Sequence, residues 1–191
     1  MVRYSLVFHC SSGSSSSAGS LSEPQVVEEE AGTMIVAFTG HRPNKLGGYR
    51  LPNPTYVHVC QQIDSTLRAL KPDTVISGMA LGIDQWAAHI AYRLGIPFIA
   101  AVPFVGQEKA WPIASQTTYQ KLIKLAKEVV IVSEGEYAPI KMQIRNQWMV
   151  DHCDTLIAVW DGSAGGTGNC VKYAQSVNKN IVRINPANKV I

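Results

Sequence analysis

Glycine, arginine and aspartate recur along this chain at spacings suited to holding an anion. Asp154-Thr-Leu-Ile-Ala-Val-Trp-Asp-Gly-Ser-Ala-Gly-Gly-Thr-Gly-Asn169 reads as a buried strand running into a glycine turn, with Gly162, Gly165, Gly166 and Gly168 at the strand's carboxyl end. Glycines there let backbone approach a guest closely, and free N–H groups at the start of the next helix favour negative charge. Thr167 and Asn169 add a hydroxyl and an amide. Two further strand ends carry turns of the same kind, Thr39-Gly-His-Arg-Pro43 and Gly78-Met-Ala-Leu-Gly-Ile-Asp84. Arg42 suits a phosphate or carboxylate, and His41 a donated hydrogen bond or a transferred proton. Asp84 could cap the following helix, accept a ribose hydroxyl, or do both.

On a helix, Arg145, Trp148, Met149 and His152 share a face, so a packed stripe would carry the arginine. So held, Arg145 fixes an anion bidentately or pairs with Asp151 or Asp154. In the polar run Val105 to Pro112, Gln107 and Trp111 either border a base or sugar at the mouth of the sheet, or Trp111 packs its loop on the core. Each glycine turn taken singly also fits a tight connection with no ligand. Three of them in one chain favour a pocket.

The elements that must position these groups follow from hydrophobic periodicity. Apolar runs predict strands at Met34 to Phe38, Thr74 to Ser77, Ile96 to Phe104, Val129 to Val132, Thr155 to Trp160 and Ile181 to Ile184. Between them, Val57, Cys60, Ile63, Leu67 and Leu70 mark one helical stripe, residues 85–94 a second helix, and Tyr119, Leu122, Ile123 and Ala126 a third. Helices over 141–154 and through Val171, Ala174 and Val177 complete the alternation. Strict strand–helix alternation implies one α/β domain, a Rossmann-like, doubly wound parallel sheet with helices on both faces.

At 191 residues, 46% hydrophobic and 16% charged, the chain can build one well-packed domain. No apolar stretch approaches the roughly 18 residues of a membrane span. Cys10, Cys60, Cys153 and Cys170 lack the spacing of a metal site or a disulfide framework, so no metal and a reducing cytoplasm are expected. The GxGxxG fingerprint is missing, which argues against a standard dinucleotide dehydrogenase, and no cofactor is expected. Residues 1–33 are serine-rich and end in Glu28-Glu-Glu30, a composition that predicts disorder, and Met34 reads as an alternative natural start. That segment carries −3 of a net +3, which leaves +6 for residues 34–191 and favours an anionic partner.

Five segments together resemble the SLOG superfamily in its YpsA-related branch of bacteria and phages: Thr39 to Pro43, Ser77 to Asp84, Pro103 to Gln107, Arg145 to Asp151 and Trp160 to Thr167. The Ser77 to Asp84 turn is similar to that of DNA-processing protein A. Arg145, Met149 and Gly165-Gly-Thr167 are similar to the cytokinin-activating LOG phosphoribohydrolases. The resemblance implies a nucleotide-binding domain over 34–191 and a homo-oligomer. Its candidate ligand-binding residues are Gly40, His41, Arg42, Gly78, Met79, Ala80, Gly82, Asp84, Gln107, Arg145, Asn146, Asp161, Gly162, Gly165, Gly166 and Thr167. The LOG enzymes carry a glutamate just after the threonine, whereas Gly168, Asn169 and Cys170 follow here. Arg145 and Asp84 remain as catalytic candidates. The expected function is binding of a small nucleotide-derived ligand of ADP-ribose type, with N-glycosidic cleavage of a nucleoside monophosphate and single-stranded DNA binding as alternatives.

Overall fold

The computed structural model describes residues 32–187. The expectation of disorder over 1–33 falls outside the described residues except at its last two positions. Six strands alternate with five helices: β1 (Ile35–Gly40), α1 (Pro54–Leu70), β2 (Thr74–Ser77), α2 (Ile83–Arg93), β3 (Phe98–Val102), α3 (Ile113–Leu125), β4 (Glu128–Ile131), α4 (Pro139–Asp151), β5 (Thr155–Val159), α5 (Gly166–Ser176) and β6 (Asn180–Ile184). All strand pairs are parallel, in the order β4-β3-β2-β1-β5-β6. The fold is the expected α/β class.

Two apolar layers clamp the sheet. Val59, Ile63 and Leu67 of α1, Ile83, Ala87 and Ile90 of α2, and Tyr119 and Leu122 of α3 pack on one face, against Phe38, Val75, Phe98 and Ile157. Met149 and Val150 of α4 with Val171 and Ala174 of α5 cover the other, against Ala37, Ile76, Leu156 and Ala158. Each fully buried Val, Leu, Ile or Phe contributes about 1.5–3 kcal/mol, so these layers supply most of the drive to fold.

Local chemistry sets the boundaries. Asn53 caps α1 by accepting from the Tyr56 N–H at 2.8 Å, Pro54 supplies the preset φ of a first helical residue, and Lys71 in a left-handed conformation ends it. The buried stripe of α1 starts at Val59, not at the expected Val57, which is 45% exposed. Two residues turn a helix by about 200°, so only one of these valines can face the sheet. β3 is shorter than expected, because Pro97 has no N–H to give a neighbour and Pro103 closes its other end. β2 spans the expected Thr74 to Ser77.

After β1 the chain moves toward β2, β3 and β4 on one side, whereas β5 leads to β6 on the other. This reversal opens a crevice beyond the carboxyl ends of β1 and β5, the usual ligand position in open parallel sheets. Gly40 and Val159 are paired at that rim.

Candidate functional site

A cavity of about 310 Å³ occupies the crevice. Thr39, Gly40, His41 and Arg42 enter it from the end of β1, Asn44 and Lys45 from the short 3₁₀ turn that follows, and Ala80 and Asp84 from the β2–α2 turn. Met142, Arg145 and Asn146 reach it from α4, and Ser163 through Gly168 from the β5–α5 turn. The three glycine turns thus meet at one rim.

Its floor is a buried ion pair. Arg145 Nη1 donates to Asp84 Oδ2 at 3.2 Å and to the Gly78 carbonyl, and both side chains are nearly inaccessible, at 5% and 8% exposure. The arginine's partner is therefore Asp84, and neither Asp151 nor Asp154. A Cβ on residue 78 would overlap the guanidinium, so Gly78 makes room for Arg145. Burial pushes the Asp84 carboxyl above its ordinary range, with Arg145 and then Arg42 pulling it down. Asp84 does not cap α2 through its side chain; it ties the turn by accepting the Ala80 N–H at 3.3 Å. Both contacts fall on Oδ2, so Oδ1 is the oxygen left to meet a hydroxyl or water.

The β2–α2 turn is itself rigidly held. Ser77 Oγ donates to the Asp84 carbonyl at 2.7 Å and accepts from the Met79 N–H, while Gln85 Nε2 donates to the Met79 carbonyl at 3.2 Å. Met79 sits at φ +58° and is fully buried, and Gly82 at φ +97° lies against the His41 carbonyl. Gly78, Met79 and Gly82 therefore shape the floor from below and do not line it.

The cavity's far wall is the start of α5. Gly165 precedes its first residue at φ +139° with no side-chain cap, so the first-turn N–H groups face the cavity without a side-chain acceptor. A Cβ on Gly165 or Gly166 would meet nothing within 4 Å. These glycines leave space that no protein atom uses, whereas Gly168 packs against the Ser163 carbonyl and Trp160. Thr167 is buried beside them.

One polar chain joins the β1 and β5 turns. His41 Nε2 lies 2.8 Å from Asp161 Oδ1, the Ser163 N–H donates to the same oxygen at 2.8 Å, and Lys45 Nζ donates to Ser163 Oγ at 2.7 Å. Hydrogen bonds from Ser163, and then from His41, hold the Asp161 carboxyl well below the usual carboxylate range. Asp161 and Gly162 stand behind the cavity wall and do not line it. Exposed Arg42 and Lys45 give the rim its free positive charge.

Gln107 lies outside this cavity. It is buried beside Tyr119, and Trp111 packs edge-to-face on the same tyrosine at 5.5 Å, so this loop braces the core. Lys45, Asn44, Met142 and Ser163 line the cavity although the expected ligand-binding residues did not include them. The lysine three residues beyond Arg42, on the turn opened by Pro43, was the one available signal.

Known sequences and solved structures resemble this chain in sequence or in fold. Over 116 residues the chain is 39% identical to the uncharacterized SPbeta prophage-derived protein YoqJ of Bacillus subtilis, covering 52% of this chain and 68% of that one. Among solved structures, DNA processing protein A superposes with a TM-score of 0.59 for Streptococcus pneumoniae (18% identity; 83% of this chain, 52% of that one). Its Helicobacter pylori counterpart, described as binding single-stranded DNA, gives 0.58 (20% identity; 83% and 67%). The molybdenum cofactor binding protein of Rippkaea orientalis gives 0.53 (15% identity; 81% and 77%). At such identities the solved structures speak for the fold. This chain spans about half of the pneumococcal protein. The pattern of the YspA SLOG family, YpsA, matches residues 36–187, nearly the whole described fold, and the chain belongs to that family.

Proposed function

We propose that the protein binds a small nucleotide-derived ligand, of ADP-ribose type, with its phosphate against the start of α5. The observation that carries this reading is the open space over Gly165 and Gly166 at an uncapped helix start. Helix N-termini attract anions through unpaired N–H groups and the helix dipole. Arg42 and Lys45 would neutralise the phosphate, and Asp84 Oδ1 would meet a ribose hydroxyl. Arg145 engages Asp84 through Nη1, and its part is to hold that carboxylate in place. The reading sets the protein in a reducing compartment, the cytoplasm, in keeping with free Cys60, Cys153 and Cys170. No helix among the described residues is long and apolar enough to cross a membrane.

A second reading, hydrolysis of a nucleoside monophosphate, takes support from a buried carboxylate of raised pKa at the cavity floor. Asp84 would stand in for the glutamate that the residues after Thr167 do not provide. Calorimetric titration with ADP-ribose tests the first reading. Gly166→Asp is expected to weaken binding at least tenfold by placing charge in the phosphate position, while unfolding stability holds or rises by about 0.3–1 kcal/mol from the favourable dipole contact. Undiminished affinity in that variant refutes the placement. Free base released from a nucleoside monophosphate would establish the second reading, and a single-stranded oligonucleotide that displaces ADP-ribose would identify DNA as a guest of the same cavity.

A further inference from the structure

A second hollow, of about 190 Å³, lies between α4 and α5 and shares Met142, Asn146 and Gly166 with the anion cavity. The two differ in chemistry. The first is lined by Arg42, Lys45, Arg145 and Asp84; no charged residue lines the second. In their place stand four carboxamides, Gln143, Asn146 and Gln147 from α4 and Asn169 from α5. Gln143 and Gln147 are one turn apart and share a helix face. Gln143 and Asn169 are exposed and Asn146 and Gln147 half-buried, so all four carboxamides are open to a guest. Tyr173 borders the hollow with its hydroxyl already committed to Asp151 Oδ1 at 2.9 Å, which fixes its ring.

From this geometry we infer that the α4–α5 groove is a nucleobase subsite that takes an adenine-type edge, completing the ligand whose phosphate lies at the start of α5. The inference rests on the proposed function and names its ligand more closely. Gly166, Asn169, Cys170 and Tyr173 line the groove at three- and four-residue steps, so it runs about 10 Å along α5 from the phosphate position. A carboxamide presents a planar donor–acceptor pair that matches the amino group and ring nitrogen of adenine. Guanine offers two acceptors on that edge and is better met by arginine or lysine, and the cytosine amino group by a carboxylate. The groove supplies neither. Together the two cavities fall within the roughly 300–1,000 Å³ of small-molecule sites.

Titration calorimetry of the full chain with AMP, GMP and ribose 5-phosphate tests this. Ribose 5-phosphate probes the phosphate position alone. AMP is expected to bind about tenfold or more tighter, and GMP no tighter than ribose 5-phosphate. The double variant Gln143→Leu/Gln147→Leu, checked for an unchanged circular dichroism spectrum, should bring AMP down to the ribose 5-phosphate level and leave the latter unaltered. If AMP shows no advantage, or keeps it in the variant, the base subsite is refuted while the phosphate reading stands. Equal gains for AMP and GMP refute the adenine assignment. Binding of neither AMP nor ribose 5-phosphate removes the phosphate reading and this inference with it.

Discussion

Replacing Arg145 by methionine keeps helix propensity and bulk but strips a buried carboxylate of its cation. Asp84 Oδ2 would keep only the Ala80 N–H at 3.3 Å, and the Gly78 carbonyl would lose its donor. Breaking one side of a buried ion pair costs about 3–5 kcal/mol, because the remaining charge stays desolvated. At roughly 2–4 °C per kcal/mol for a chain of this size, the melting temperature should fall by about 6–20 °C. The deficit must also depend on pH. Burial already raises the Asp84 pKa in the intact protein and Arg145 is the largest opposing influence, so the variant raises it further. A carboxyl whose folded pKa exceeds its unfolded value of about 3.9 binds its proton more tightly when folded. Its favourable contribution is present below the unfolded value and disappears as pH rises through the folded one. The deficit of Arg145→Met should therefore be smallest near pH 4 and largest near pH 8, by urea denaturation followed through tryptophan fluorescence. Arg145→Met/Asp84→Asn should recover a large part of it at pH 8. A loss below about 1 kcal/mol, the same loss at both pH values, or no recovery in the double variant refutes the reasoning.

Two glycines of the site should respond in opposite ways. Gly40→Ala drives a methyl into the side chain of Ile83 and is expected to cost about 1–3 kcal/mol, whereas Gly166→Ala enters open space at a helix start and should be neutral or stabilising by up to about 1 kcal/mol. Urea midpoints compare the two, and equal losses would mean that residue 166 is packed. Burial pushes the thiols of Cys60, Cys153 and Cys170 up to about 11, so at pH 8 only about one in a thousand is thiolate. A chromogenic disulfide should label Cys153 and Cys170 only after denaturation, and rapid native labelling of either would contradict their packing.

The turns were legible because their chemistry is local. Positive φ is close to a glycine monopoly, and an apolar run ending in glycines marks a strand end whatever surrounds it. The alternation of six strands and five helices likewise followed from periodicity, down to the limits of β2. Partnerships were not legible. That Arg145 would find Asp84, 61 residues away, and not the nearby Asp151 or Asp154, depends on which rim of the sheet α4 crosses after β4. Gln107 shows the same limit from the other side: a polar residue near a strand end looks like a site, but the β3–α3 loop turns it against Tyr119.

Composition and spacing along the chain were enough to determine the elements, their α/β order and the glycine turns at three strand ends, since each depends on interactions within a few residues. Only the folded sheet decided which turns share a cavity, which arginine is buried in an ion pair and which cations stay free at the rim. Those outcomes depend on strand order, and strand order arises from contacts between residues far apart in the sequence, which no local pattern encodes.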